Sequence, residues 1–476
     1  MLWFAIFLPN LPLQVFQRGT PEAQPLAVVE RRRCVGANPA AQRLGVHAGL
    51  GEAAAAAMAG TLVTRVRDPA LEEAALRELA CWAGRYSPVV SLDAPACVLI
   101  EVGAGLRLFG GAQALAAAIR AGCRELGFAA RLAGAPTPLA ARWLARAGTD
   151  AIIMEAAGLE QALDPLPLDV LECPPQVLEM LLSIGMLTLG ECRRLPRRGL
   201  ARRGAGGVIE DIDRALGALP DPRPGFVAPS TYAARLELGV HEAQTEALAF
   251  ALARLLAGFS AWLEARQAGV ERFRVRLMHE GREATLLTVT LGSASRDCAR
   301  CTRLAREHLA RIGLAAPVCA LALEAGEIVP LAARSRELFA QEREPSEDIP
   351  EILERLRARL GEDAVWTPQC VADHRPERAW RRALPGRAPV AAAGCAPARP
   401  LWLLIHPERL AGRDDRPDAP LRLLRGPERI ESGWWENGDA GIRRDYFIAA
   451  GGAGELLWVY RDLEAPGAWV LHGIFA

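Results

Sequence analysis

The chain has 476 residues, 51% of them apolar, and its 56 cationic side chains balance 56 acidic ones. This length predicts roughly two to four globular domains, and the zero net charge argues against a uniformly basic nucleic-acid binder while allowing local basic patches. All of the cationic side chains are Arg, which binds phosphate in a bidentate manner, so DNA contacts remain available.

The cysteines and the first residues bear on the cellular compartment. The 11 cysteines lack paired spacing, which fits the reduced thiols of a cytoplasmic protein. Cys298 and Cys301 form the one Cys-x-x-Cys, inside a helical pattern that favours coincidence over a metal site. The apolar residues 1–8 are too short to span a bilayer and lack the features of a signal peptide. We expect no membrane contact, no metal and no other cofactor.

Residues 1–165 alternate short apolar runs with alanine-rich helical stretches, which predicts an α/β domain. Strands are predicted near residues 2–8, 25–29, 96–102, 106–109 and 128–133, and helices near residues 37–44, 51–58, 69–85, 111–126 and 137–147. The pair Gly110-Gly111 lacks the Walker spacing and its Lys, so it does not indicate a phosphate loop.

Residues 166–228 contain a helix, a tight turn at Ile184 and Gly185, and a second helix. This is the helix-hairpin-helix pattern, in which hairpin amides and a helix N-terminus can hold a backbone phosphate. The arginines that follow closely are Arg193, Arg194, Arg197, Arg198, Arg202 and Arg203. They could form an ordinary solvated face, but the hairpin directly upstream favours contacts with DNA.

Residues 229–330 predict the order β-α-β-β-α-β, which is ferredoxin-like. In the strand over residues 270–278, Arg272, Arg274 and Arg276 alternate with apolar residues and therefore share one face. An arginine-lined face could lie along a DNA backbone, and an ordinary solvated face is equally compatible with the pattern.

Residues 331–399 read as a linker, with one predicted helix at residues 350–360. Residues 400–476 predict a small β-rich module with strands near residues 401–405, 421–425, 443–449, 455–461 and 468–475. Trp434 and Trp435 are candidates for partner binding. As neighbours on a strand they would face opposite ways, one to the surface and one to the core.

Residues 85–102 resemble the palm strand of Y-family DNA polymerases, in which Ser-Ile-Asp-Glu precedes an apolar run. Here Asp93 fits this motif, but Ala94 stands where the metal-binding Glu is expected. The first-strand metal Asp of the family falls near Phe7 or Pro9. Two-metal phosphoryl transfer needs several carboxylates, so the resemblance implies that Asp93 is vestigial and that the chain is not an enzyme.

The segment from Ala37 to Leu50 is similar to the fingers motif of the same family. In that motif a Tyr and an Arg hold the incoming triphosphate. Pro39 and Gln42 occupy those places, and neither supplies a phenol or a guanidinium. The resemblance implies palm and fingers, then a thumb over the helix-hairpin-helix, then a little finger over residues 229–330.

The C-terminal motifs are more specific. They are Glu428-Arg-Ile-Glu-Ser-Gly-Trp-Trp-Glu, Arg443-Arg-Asp-Tyr-Phe, Leu457-Trp-Val-Tyr-Arg-Asp and Trp469-Val-Leu-His-Gly-Ile-Phe-Ala. Together they resemble the tail of ImuB-type proteins, polymerase-like members of bacterial damage-inducible mutagenesis cassettes. The resemblance implies a non-catalytic adaptor that binds DNA and the β sliding clamp. It would join an ImuA-type accessory protein and an error-prone replicative-type DNA polymerase.

A degenerate clamp-binding peptide follows the predicted little finger, where proteins of this type carry theirs. Its residues are Ser335, Arg336, Glu337, Leu338 and Phe339. Leu338 and Phe339 supply the apolar anchors, while Ser335 replaces the usual Gln. A helix-capping turn that buries Phe339 is the alternative.

Two other functions remain as alternatives. A divergent active polymerase could use Asp93 with Glu101 or another carboxylate, but eight residues of strand put Glu101 about 26 Å away. A plain binder of single-stranded DNA would need aromatic stacking platforms on a basic sheet, which the sequence does not predict.

Overall fold

The computed structural model describes most of the chain as two compact units. The described residues are 1–20, 24–331, 349–383, 398–413, 416–417, 421–435, 441–465 and 468–475. The first unit spans residues 1–359 and the second spans residues 360–476. The predicted clamp-binding peptide, residues 335–339, lies outside the described residues.

The N-terminal part of the first unit is an α/β domain, as predicted. Its strands are β1 (Trp3–Phe7), β2 (Leu26–Glu30), β3 (Arg33–Ala37), β4 (Val63–Val66), β5 (Val90–Asp93), β6 (Cys97–Glu101) and β7 (Arg131–Ala135). Its helices are α1 (Leu11–Gln17), α2 (Pro39–Arg43), α3 (Glu52–Met58), α4 (Pro69–Ala83), α5 (Ala112–Glu125) and α6 (Pro138–Ala147). The main sheet has the order β5-β6-β1-β7, and a smaller sheet has the order β3-β2-β4.

The main sheet is buried on both faces, because helices cover each of them. Phe4 and Ile6 of β1 enter one core with α4 and α5, whereas Trp3 and Ala5 enter another with α6. Since successive side chains of a strand point to opposite faces, β1 must be apolar throughout. This explains the continuous apolar run that predicted a strand at residues 2–8.

One predicted strand is wrong, because residues 106–109 form a turn. The turn runs directly on from the 3₁₀ segment Gly103–Gly105. Gly110 and Gly111 then take φ angles of 77° and 103°, which glycine adopts readily and which lead the chain into α5. Leu106 and Phe109 still pack on the core, while Leu108 between them is exposed, so the apolar run resembled that of a strand.

Five short helices follow, and the second and third form the predicted helix-hairpin-helix. They are α7 (Leu159–Leu163), α8 (Pro175–Ser183), α9 (Leu189–Arg194), α10 (Arg197–Arg202) and α11 (Gly206–Ala215). In the tight turn after α8, Gly185 has a φ angle of 82°. Apolar side chains of these helices share a core with α6, so the thumb-like region packs on the α/β domain.

The predicted β-α-β-β-α-β unit is present and is followed by a short strand and a helix. The elements are β8 (Ala233–Glu242), α12 (Thr245–Ala265), β9 (Ala268–His279), β10 (Arg282–Ser295), α13 (Cys298–Leu309), β11 (Val318–Ala325), β12 (Ile328–Pro330) and α14 (Ile349–Leu360). The strand order is β10-β9-β11-β8, so β11 lies between the two strands of the β8-α12-β9 unit. A ferredoxin-like sheet would place β10 there, so the element order agrees with the prediction and the strand order differs.

Helix α12 is apolar on almost all sides because it is buried on almost all sides. Phe259 and Trp262 pack under the sheet of β8 to β11, while Ala261 joins the core beneath α4. Within the described ranges it is the one helix long and apolar enough to cross a membrane, and 72% of its 18-residue window is buried. It is therefore a core helix of the first unit.

The segment predicted as a linker contains a packed helix. Glu354 of α14 is only 7% exposed, and its carboxylate accepts a hydrogen bond from Arg300 Nε at 3.0 Å. Helix α14 therefore packs with the little-finger-like region, and the hairpin that follows it belongs to the second unit.

The second unit is rich in β-structure, as predicted. Its strands are β13 (Thr367–Cys370), β14 (Trp380–Ala383), β15 (Trp402–Leu410), β16 (Gly412–Arg413), β17 (Arg416–Pro417), β18 (Arg422–Ser432), β19 (Ile442–Ala450), β20 (Leu456–Asp462) and β21 (Trp469–Ile474). Its largest sheet has the antiparallel order β15-β21-β20-β19-β18. Tyr446, Trp458 and His472 stack on one face, and the Tyr446 hydroxyl lies 2.9 Å from His472 Nδ1.

Trp434 and Trp435 do not lie on a strand, so the expectation that one of them faces the core is wrong. They follow β18 in a turn that begins after Gly433, which has a φ angle of 85°. They are 79% and 59% exposed, and their rings meet edge to face with centroids 5.4 Å apart. Both rings are therefore accessible.

Candidate functional site

The residues expected at a polymerase metal centre lie side by side in the main sheet. Asp93 at the end of β5 pairs with Cys97 of β6, and Cys97 in turn pairs with Phe7 of β1. Directly paired residues of antiparallel strands point to the same face. Asp93, Cys97 and Phe7 therefore form one row, in which Asp93 is the only carboxylate.

Two arginines hold the Asp93 carboxylate. Arg142 of α6 places Nε 2.9 Å from Oδ2, and Arg223 places Nη1 3.2 Å from Oδ1. Each arginine has a second carboxylate partner, Glu172 for Arg142 and Asp221 for Arg223. Burial raises the pKa of Asp93, and the two guanidinium groups oppose that rise. The result is an internal network in which positive and negative charges alternate.

This donor set does not fit a pair of divalent metal ions. Mg²⁺ needs oxygen ligands in near-octahedral geometry, and a two-metal site needs carboxylates that reach both ions. Asp93 offers one carboxylate, and both of its oxygens face guanidinium groups. Within the part of the chain that the structure describes, no group of three or more His, Cys, Asp or Glu side chains could hold a metal ion.

Glu101, the other carboxylate considered, does not share a strand with Asp93, so the expectation of one continuous strand is wrong: Asp93 ends β5, and Glu101 lies at the far end of the antiparallel β6. It pairs with Trp3, four residues along β1 from Phe7. Its Oε1 accepts hydrogen bonds from the amides of Leu2 at 3.2 Å and Gly103 at 3.0 Å. Glu101 therefore binds backbone amides at the opposite end of the strands and cannot share a site with Asp93.

In the fingers-like segment, the two positions that hold the triphosphate in the family, here Pro39 and Gln42, do not supply such contacts. The Asn38 side chain caps α2 by accepting a hydrogen bond from the Ala41 amide at 2.9 Å. Pro39 occupies the first turn of the helix, where the missing amide costs nothing. Gln42 Nε2 donates to the carbonyl of Ala37, the last residue of β3, at 2.8 Å, so it is engaged with the backbone just before its helix.

The hairpin amides are already used within the protein. The amides of Ile184 and Gly185 donate to carbonyls of α8, at 3.3 Å and 3.0 Å. The amides of Leu187 and Thr188 donate to the Glu191 carboxylate at 2.7 Å and 3.0 Å, and these bonds lower the pKa of Glu191. A phosphate at the hairpin would have to displace a carboxylate, so arginine side chains are the better candidates for DNA contact.

The six arginines near the hairpin divide into two groups. Arg193 and Arg194 lie 2.9 Å and 3.5 Å from the Asp164 carboxylate, and Arg197 donates to Asp213 at 2.8 Å. These hydrogen bonds lower the pKa values of Asp164 and Asp213. The other three of the six, Arg198, Arg202 and Arg203, are exposed and have no ion-pair partner among the described residues. Only this second group has its full charge available.

The arginine face of β9 is exposed as predicted. Arg272, Arg274 and Arg276 point away from the helices, while the intervening side chains are fully buried. Arg276 lies 3.6 Å from Glu324 of β11, and no other ion pair is found for this row over the described ranges. The face therefore keeps a net positive charge.

Sequence reasoning missed the role of Arg142 and Arg223. Arg142 was noted only as part of a predicted helix, and Arg223 lies in the extended segment after α11. They stand 49 and 130 residues from Asp93 along the chain, so no local spacing connects them with it. The packing of α6 on the sheet and the hydrogen bond from the Phe226 amide to the Val90 carbonyl of β5, at 2.7 Å, bring these charges together.

Comparisons with known proteins identify relatives of this chain. Residues 6–146 match the model of the impB/mucB/samB family. Protein ImuB of Caulobacter vibrioides strain NA1000/CB15N is 30% identical over 458 residues, covering 91% of this chain and 100% of that protein. Protein ImuB of C. vibrioides strain ATCC 19089/CIP 103742/CB 15 gives the same figures.

Solved structures of low identity also match. A Dbh ternary complex is 15% identical with a TM-score of 0.40, covering 70% of this chain and 100% of that one. DinB from Sulfolobus solfataricus is 14% identical with a TM-score of 0.38 and the same coverage. The identity to the curated relatives, which extends over their whole length, shows that this chain belongs to the ImuB family of Y-family polymerase-like proteins.

Proposed function

We propose that this chain is a cytoplasmic, non-catalytic adaptor of DNA damage-induced translesion synthesis. It binds DNA and the β sliding clamp, and it recruits an error-prone replicative-type polymerase together with an ImuA-type accessory protein. The observation that carries the proposal is that Asp93, the one carboxylate in the row of Asp93, Cys97 and Phe7, forms ion pairs with Arg142 and Arg223.

The chemistry of that network argues against nucleotide transfer. Divalent ions at a polymerase centre stabilise both the attacking and the leaving oxygen and lower the pKa of the nucleophile. The guanidinium groups of Arg142 and Arg223 balance the charge of Asp93, but they are not Lewis acids. They neutralise the buried carboxylate without supplying the catalytic function of the metals.

DNA binding is assigned to exposed arginines on two surfaces of the first unit. Arg198, Arg202 and Arg203 lie beside the hairpin, and Arg272 and Arg274 lie on the face of β9. Such contacts to phosphates position a protein on DNA without reading its sequence. An adaptor that must act wherever a lesion occurs needs this kind of binding.

Recruitment is assigned to the second unit and to the clamp-binding peptide. Trp434 and Trp435 are large exposed aromatic rings, the side chains most enriched at the energetic centres of protein interfaces. Modest contacts to clamp, DNA and partners add up through effective concentration, so no single contact needs high affinity.

The experiment that tests the proposal is primer extension on damaged and undamaged templates with Mg²⁺ or Mn²⁺, beside a pull-down with the sliding clamp. We expect no extension and retention of the clamp. Asp93→Ala is the control for contamination, because a contaminating polymerase would be unaffected. Extension that disappears in Asp93→Ala would overturn the proposal and establish a divergent active polymerase.

A further inference from the structure

The hairpin of β13 and β14 in the second unit carries two exposed tryptophans on one face. In its register Pro368 pairs with Arg382, and Cys370 pairs with Trp380. Paired residues share a face, and so do residues two apart along a strand, which places Trp366 on the same face. Trp366 is 37% exposed and Trp380 is 45% exposed. These five residues include two large rings and one guanidinium, and none of them is acidic.

The two tryptophan rings are stacked, and the second of them remains accessible. Trp366 and Trp380 lie nearly parallel, with an interplanar angle of 13° and centroids 5.7 Å apart. Arg382 Cζ lies 4.7 Å from the centroid of the Trp366 ring, so two groups cover Trp366. Trp380 has no ring contact besides Trp366 in the described ranges. Its exposure therefore leaves indole surface on which a further flat group can stack.

Guanidinium groups whose charge is available border these rings. Arg381 and Arg382 are exposed, and neither forms an ion pair within the described part of the chain. Arg381 Nε donates to the neutral side chain of Gln369 at 3.0 Å and keeps its charge. The acidic side chains of the connecting loop are engaged in ion pairs, which are Asp373 with Arg375 and Glu377 with Arg444. The hairpin thus presents positive charge beside stacked rings.

We propose that this hairpin binds single-stranded DNA, with a base stacked on Trp380 and the adjoining phosphates held by Arg381 and Arg382. Aromatic rings bind the bases of a single strand by stacking, and a basic surface beside the rings follows the phosphates. Duplex DNA cannot use the rings in this way, because its bases are stacked on one another. A polyanion complements the charge of the hairpin, which favours nucleic acid over a protein with an apolar surface.

This single-strand site differs from the DNA contacts assigned to the first unit. Those contacts are made by arginines and hold the phosphates of any strand, whereas ring stacking selects unpaired bases. The pairing of β13 with β14 brings Trp366 and Trp380 together, so the sequence alone does not show them as a stacking platform. The site extends the proposed function and rests on it in one respect, that the nucleic acid is DNA.

The test compares binding of the full chain to two labelled strands of about 12 nucleotides by fluorescence anisotropy. One strand is oligothymidylate, and the other is abasic with the same number of phosphates. The wild type should bind oligothymidylate about 5- to 160-fold more tightly, since stacking of one base gives a gain of this size. Trp380→Ala should lose this preference, and Trp380→Tyr should keep most of it. Trp402→Ala removes a tryptophan of the same unit that is 66% exposed, and it should behave like the wild type.

The two arginines are tested separately from the rings. Arg381→Gln with Arg382→Gln should keep the preference for oligothymidylate, because both tryptophans remain. Two lost phosphate contacts should lower the slope of log K against log salt on single strands by about 1.4. An unchanged slope would contradict the assignment of phosphates to these arginines. This variant and Trp380→Tyr keep a ring pair in the hairpin, so the test stands even if Trp380→Ala fails to fold.

Equal affinity of the wild type for oligothymidylate and the abasic strand would overturn the proposal and would point to a protein partner for the rings. A preference that persists in Trp380→Ala, or that disappears in Trp402→Ala, would overturn it as well. Binding of duplex DNA by the wild type is measured in parallel. Its absence would contradict the DNA binding proposed for the first unit, whereas duplex binding without a preference for oligothymidylate would contradict only the single-strand site.

Discussion

Replacing Arg198, Arg202 and Arg203 with Gln should weaken DNA binding in a way that depends on salt. These arginines are exposed and have no ion-pair partner among the described residues, so each can neutralise one phosphate. Each such contact contributes about 0.9 to the slope of log K against log salt on duplex DNA, so three contribute about 2.7. With the 1 M intercept unchanged, the triple variant should bind on the order of 500-fold more weakly at about 0.1 M salt.

The measurement is fluorescence anisotropy of a labelled duplex at several salt concentrations. Arg193→Gln with Arg197→Gln is the matched control, because these arginines already pair with Asp164 and Asp213. The control should keep the slope nearly unchanged, although it should lower thermal stability by breaking two ion pairs. A control variant that loses as much slope as the triple variant would refute the distinction between paired and unpaired arginines.

Three further outcomes are expected. Ala94→Glu should give no nucleotide incorporation in primer extension, because it leaves the arginines around the palm carboxylate in place, and measurable extension would contradict this. Leu338→Ala with Phe339→Ala should abolish clamp binding in a titration, because it removes both apolar anchors, and an unchanged affinity would disprove the peptide. Trp434→Ala with Trp435→Ala should lose the partner polymerase in a pull-down while DNA affinity stays constant, and retention of the polymerase would exclude these rings as its contact.

Local sequence patterns predicted the helices and strands correctly where the packing of the side chains followed the same pattern. Over residues 272–277 the strand β9 alternates strictly because one face is buried and the other is exposed. The helix α6 begins where Thr137 caps its N-terminus and ends at Gly148 in the left-handed conformation, as end signals predict. Strands β3 and β4 were missed because they are short and half exposed, so neither shows a clear period of two.

The candidate site was predictable only in part, because its electrostatics are set by distant partners. Loss of the metal carboxylates could be read directly from Ala94 and the apolar first strand. The pairing of Arg193 with Asp164 could not be predicted from the sequence, because the spacing of the arginines is the same whether or not an acidic residue faces them. The exposed position of Trp434 depends on the turn at Gly433, and a single glycine in the sequence does not by itself predict that the strand ends there.

The arginines that surround Asp93 also constrain how this protein can change. A single mutation that restores a carboxylate beside Asp93 adds a negative charge next to a network in which Arg142 and Arg223 already pair with three carboxylates. A single mutation that removes Arg142 leaves Asp93 and Glu172 each short of one partner. Recovery of a metal centre therefore requires several substitutions, and those that remove one partner of the buried ion pairs destabilise the fold. On the non-catalytic function proposed above, the ion-pair network makes the loss of catalysis hard to reverse one substitution at a time.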